Sequence, residues 1–161
     1  MTQATLVRRI AARPDLVFQA LITAEAIAEW WGPQDGTATA AVSDPRVGGR
    51  YEVRFTTNDG VEHVCGGEYL EIARPERLIL SWRWLAGGVD DERDRVSRVE
   101  LRLRAIDIGT ELTLVHSELC TEDSARAHEG GWAGSLVKLI QRFAQARGAG
   151  AASPPIAGKP S

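Results

Sequence analysis

The sequence predicts an α+β domain: a curved antiparallel sheet of about six or seven strands around a long C-terminal helix, with two short helices after the first strand. Three observations predict it. Apolar residues recur at helical spacing up to Trp31, change to a period of two in successive stretches from about residue 36 to 116, and return to helical spacing after 131. Two breaks in the alternating stretch, Asn58-Asp59-Gly60 and Asp107-Ile108-Gly109, are short turns of the kind that join antiparallel neighbours. The residues between the apolar ones are mostly charged, the pattern of a sheet with one wet face. A length of 161 residues suits one such domain. It is placed at residues 1–147, and "GAGAASPPIAGKPS", residues 148–161, is expected to be a disordered tail.

Each element has its own signal. Ala4 to Ile10 is short, apolar and partly β-branched, a first strand. Pro14 suits the first turn of a helix that runs to about Ile22. Thr23 is expected to cap a second helix, with Glu25 in its first turn and Ile27, Trp30 and Trp31 on one side; Pro33 closes it. Tyr51, Val53 and Phe55 alternate with Glu52 and Arg54. Val61 to Ala73 follows the turn. Leu78, Leu80, Trp82 and Trp84 form another series, then Val99, Leu101 and Leu103, then Thr110, Leu112, Leu114 and His116. A final helix over 131–146 carries Trp132, Leu136, Leu139, Ile140 and Phe143 on one face, opens at Gly130-Gly131 and stops at Gly148. Parity predicts that Trp82, Leu101, Leu112 and Trp132 are buried and that Arg98, Glu100 and Arg102 face water.

Composition removes several function classes. The formal charge of -3 offers no basic face, so no nucleic-acid partner is expected. No apolar run is long enough to span a membrane and no apolar signal segment stands at the N-terminus, so a cytoplasmic protein with no membrane partner is expected. Cys65 and Cys120 fit no metal spacing. There is no nucleophile elbow, phosphate loop, dinucleotide fingerprint or His-Glu-x-x-His motif, so no catalytic residues and no cofactor are assigned. Asp90, Asp91, Glu92 and Asp94 read as a solvated hairpin tip without calcium-loop spacing.

"EWWGP", residues 29–33, poses the sharpest question, because neighbouring residues on a helix do not face one core. In a meander, alternate connections lie at one end of the sheet. The links around 31–36, 58–60, 87–94 and 117–131 therefore share an end, and one indole can face the core while the other faces a mouth there.

"WWGP", "DPRVGGRY", "GEYLEIARPERLILSW", "GTELTLVH" and "HEGGW" occur in that order. Together they resemble the family named for the activator of the heat-shock ATPase of ninety kilodaltons, within the START-like, Bet v 1-like helix-grip superfamily (SRPBCC). The resemblance covers residues 4 to 146. It implies a helix-grip fold with a cavity between sheet and long helix, and it implies fold far better than function. Eukaryotic co-chaperones of the family carry a further domain that this length leaves no room for, so a chaperone partner is not expected.

On this reading Tyr51, Trp82, Trp84, His116 and Trp132 point inward, with Trp31 (or Trp30) and His128 at the rim. They either fill the core or contact a small apolar or aromatic ligand. His116 is either a hydrogen-bonding or acid/base group in the cavity or a structural residue. His128 is expected to anchor the helix entry. The two histidines lack a third ligand, and no metal is assigned. The expected function is binding of a small apolar ligand. An enzyme of cyclase or hydrolase type using a cavity His or Tyr, and a chaperone-related interaction module, are the alternatives; a homodimer is left open.

Overall fold

The computed structural model describes residues 2–88 and 92–152. Seven strands form one antiparallel sheet: β1 (Thr2–Ile10), β2 (Thr37–Ser43), β3 (Arg50–Thr56), β4 (Glu62–Ala73), β5 (Arg77–Ala86), β6 (Ser97–Ile106) and β7 (Gly109–Leu119). Their order across the sheet is β1-β7-β6-β5-β4-β3-β2. Strands β2 to β7 are a plain meander, and β1 returns to pair with the last strand, so β1 and β2 occupy opposite edges. The connection between them crosses the width of the sheet, about 29 Å for six strand spacings. Helices α1 (Pro14–Ile22) and α2 (Ala24–Trp30) supply about 24 Å of that path.

Register follows the alternation. Leu101 lies between Leu78 and Leu114, and Leu103 opposite Leu112, so leucines form rows across the inner face. Leu78, Leu101, Leu112 and Leu114 are buried, as are Trp82 and Trp132. On the other face Glu100 sits beneath Arg98 and Arg102 and pairs with both. Charged outer residues thus cover one another, which is how an antiparallel sheet keeps one face wet.

Two local expectations need correction. Thr23 stands at the N-cap of α2, but its hydroxyl makes no capping bond; only its carbonyl is used, by Ile27 N–H at 2.9 Å. The last helix, α3 (Glu122–Ala152), begins nine residues before Gly131 and continues past Gly148. Its cap is Thr121, whose hydroxyl accepts Ser124 N–H at 3.0 Å, with Glu122 and Asp123 complementing the dipole in the first turn. Residues 153–161 of the expected tail lie outside the described residues.

Gly130 and Gly131 are therefore interior to α3, where a glycine costs roughly 1 kcal/mol relative to alanine. Gly134 is different. A Cβ there would lie 2.3 Å from the backbone nitrogen of Gln34, whereas a Cβ at Gly130 meets nothing within 4 Å. Gly130→Ala is expected to stabilise the fold by up to about 1 kcal/mol. Gly134→Ala, the same change one turn later, is expected to destabilise it, because α3 and the loop after α2 must move apart. Urea unfolding of the two variants checks the opposite signs.

Candidate functional site

The site begins at the end of α2. Trp31 leaves the helix in an extended conformation, and Gly32 follows at φ +101°, a left-handed region that favours glycine. This turn separates the two indoles. Trp30 Nε1 donates to Ala20 O at 2.8 Å and is buried against α1. Trp31 faces the other way: its Nε1 donates to Cys65 Sγ at 3.2 Å, and its ring packs on Tyr51 and edge-on to Trp132, at centroid distances of 5.7 and 5.1 Å.

Helix α3 holds this lip by its backbone. Lys138 Nζ reaches Trp31 O, Pro33 O and Gly36 O at 3.4, 3.1 and 3.2 Å. Ser135 Oγ donates to Gly32 O at 2.7 Å. Three ammonium donors thus meet three carbonyls of a loop that has no sheet ladder of its own. Lys138→Met keeps the apolar stem and removes these bonds. It is expected to lower stability by about 1–3 kcal/mol, the cost of stranding partly buried polar groups, as read by thermal unfolding.

Between this lip, the β3–β4 and β5–β6 hairpins and the first turns of α3 lies a pocket of about 250 Å³. All four connections that the meander places at one end contribute to it. Its walls are the indoles of Trp31, Trp82, Trp84 and Trp132, with Phe55, Cys65 and Gly131. Trp82 and Trp84 meet edge to face at 4.5 Å. Polar groups are few: Thr57, His63, Glu92, His128 and Ser135.

Glu92 was not singled out by the sequence, and its reading as part of a solvated tip is corrected here. It is 5% exposed. Its Oε1 accepts Trp84 Nε1–H at 2.7 Å and lies 2.7 Å from His128 Nε2; its Oε2 bonds the Ser124 hydroxyl. Asp90 and Asp91 lie outside the described residues. His128, expected at a helix entry, stands in the second turn of α3, 8% exposed, with its ring edge-on to Trp82 at 4.7 Å. A carboxylate at that distance from Nε2 is bonded by an N–H, so Glu92 Oε1 accepts the Nε2 proton of His128.

A family model described as "Activator of Hsp90 ATPase homolog 1-like protein" matches residues 11–144. The chain belongs to this AHSA1-like family. Among solved structures, the AHSA1 protein of Silicibacter pomeroyi is 26% identical with a TM-score of 0.78, over 89% of this chain and 99% of that one. A Chromobacterium violaceum protein is also 26% identical, with a TM-score of 0.77, over 88% and 96%. An AHSA1-like protein of Aeromonas hydrophila, 22% identical, shares the fold at a TM-score of 0.69. No curated protein matches.

Within this AHSA1-like fold, Tyr51 and His116 lie behind the pocket wall rather than in it. Tyr51 is 3% exposed and donates to Ser81 O at 2.7 Å. His116 is fully buried. Its Nδ1 accepts Trp132 Nε1–H at 3.0 Å, so in the neutral ring Nε2–H donates to Ser97 Oγ at 2.7 Å, and Ser97 passes its proton toward Trp82 O at 3.3 Å. The chain from indole to carbonyl is satisfied only with His116 neutral. Desolvation, with a smaller contribution from neighbouring His128, holds its pKa well below the usual imidazole range.

This shift has a sign. The unfolded chain takes up a proton at His116 near pH 6.5 and the folded chain does not. The contribution of His116 to stability is thus complete above about pH 6.5 and falls as pH drops below it, until the folded pKa is reached. Its slope is at most about 1.4 kcal/mol per pH unit. Urea unfolding from pH 7 to 5 is expected to show a shallower acid loss for His116→Asn than for the parent protein.

The pocket offers no activated nucleophile in Cys65. Burial pushes its thiol up to about 12, against the opposing effect of the Trp31 N–H, so it stays protonated near neutrality. Cys65 and Cys120 are not joined in a disulfide. Among the described residues no group of three or more His, Cys, Asp or Glu side chains is arranged to hold a metal.

Proposed function

We propose that this AHSA1-like protein binds a small, flat, apolar molecule in the pocket between the EWWGP lip and α3. The observation that carries the reading is the apolar space itself, about 250 Å³ walled by four tryptophans. The pocket opens to solvent, so its apolar walls stand in contact with water, and a small apolar ligand that covers them is favoured by the burial of that surface. A cavity of roughly 150 Å³ accommodates benzene, and this one suits a two-ring arene. Indole walls offer such a ligand edge and face contacts at little conformational cost.

An acid/base enzyme built on Tyr51 or His116 has less support, because both residues commit their polar atoms to the fold. An interaction module on the outer sheet has less as well, because that face carries mutually paired charges.

Gly131 supplies the test. It lines the pocket, and a Cβ there meets nothing within 4 Å, so Gly131→Phe places a ring in the pocket without a clash at its root. Naphthalene at saturation is expected to raise the melting temperature of the parent protein and leave that of Gly131→Phe unchanged. Equal shifts in both, or none in the parent, would sink the proposal.

A further inference from the structure

We infer that the ligand of this pocket is a hydroxyarene, an aromatic molecule whose one hydroxyl donates a hydrogen bond to Nδ1 of His128. The inference rests on the ligand-binding reading above and adds the chemistry that the pocket selects. Its ground is an account of the polar side-chain atoms among the described residues of the lining. Ser135 donates to Gly32 O. His63 accepts Gly88 N–H through Nδ1 and faces Thr57 Oγ1 through Nε2. Both oxygens of Glu92 are engaged by three donors. Two nitrogens remain without a partner. One, Trp82 Nε1, is sealed from water. The other is His128 Nδ1, which meets no partner among the described residues, on a ring that lines the pocket.

Glu92 decides what that nitrogen is. The carboxylate accepts the Nε2 proton, and in that Nε2–H tautomer Nδ1 carries a lone pair directed away from Glu92. An acceptor in an indole-lined space discriminates among ligands of one shape. An arene with a hydroxyl satisfies it. The same arene with a methoxy group shuts it off from water and leaves it unpaired, which is unfavourable. Glu92 is a positioning residue here: it acts on the ligand only through the tautomer of His128.

2-Naphthol and 2-methoxynaphthalene share the two-ring frame and differ in the hydroxyl proton. Calorimetric titration of the parent protein is expected to show tighter binding of 2-naphthol, roughly fivefold or more, the worth of one hydrogen bond. In His128→Phe the preference is expected to fall to about one. Because that change strands Glu92 and the variant can lose its fold, a second readout uses the parent protein alone. The nitrogen-15 resonance of His128 Nδ1 should move on addition of 2-naphthol and stay in place with 2-methoxynaphthalene. Equal affinities in the parent protein, or an unmoved Nδ1 resonance with 2-naphthol bound, overturn the inference and leave the apolar pocket standing. Failure of both molecules to bind overturns the pocket reading and this inference together.

Discussion

Glu92→Ala is expected to lower the stability of the fold by about 3 kcal/mol, the scale for removing one member of a buried polar pair. The residue anchors three donors from different parts of the chain: Trp84 on β5, and Ser124 and His128 on α3. Its loss leaves an indole N–H and an imidazole N–H unpaired beside an apolar space. Glu92→Gln keeps the shape and one acceptor oxygen, and should cost less. Glu62→Ala is the control. Its ion pair with Arg54 is solvent-exposed, and such pairs contribute roughly 0–1 kcal/mol. Urea unfolding of the three variants gives the comparison; equal losses for Glu92→Ala and Glu62→Ala would mean that the buried cluster does not hold α3 to the β5–β6 hairpin.

Trp132→Ala is expected to cost more, roughly 3–5 kcal/mol, as for other buried large-to-small changes. That corresponds to a fall in melting temperature of about 10 °C or more for a chain of this size. The indole is 5% exposed, packs edge-on against Trp31, and donates the hydrogen bond that pairs His116 Nδ1. Its loss removes a wall of the pocket and strands a buried nitrogen at once. Trp132→Phe restores most of the packing and none of the hydrogen bond. The difference between the two variants therefore separates ring packing from the indole–imidazole bond, with thermal unfolding as the readout.

The sheet was legible in the sequence because alternation has a period of two, and a slip of one residue would expose every leucine of β6. The meeting of four connections at one mouth followed from topology alone. Depth did not. Parity puts Tyr51 and His116 on the inner face, but it carries no information on what covers that face. Trp31 packs over Tyr51 and Trp132 bonds to His116, and both covering residues come from the helical segments. Glu92 was illegible for a related reason. Four acidic residues within five positions look solvated, and what singles one out is His128, 36 positions away.

The start of α3 could have been found. Thr121 followed by Glu122 and Asp123 is a cap with an acidic first turn. The pair Gly130-Gly131 imitates a helix start, although two helical glycines are tolerable where the cap and the buried Leu136 and Leu139 offset them.

The indole N–H region of a proton–nitrogen-15 correlation spectrum tests the central claim most directly. The protein has five tryptophans. Trp31, Trp82, Trp84 and Trp132 line the pocket, whereas Trp30 bonds to Ala20 O on its far side. Titration with naphthalene is expected to shift the four pocket signals and to move that of Trp30 least. Five unmoved signals, or a shift confined to Trp30, would contradict a ligand site between the EWWGP lip and α3.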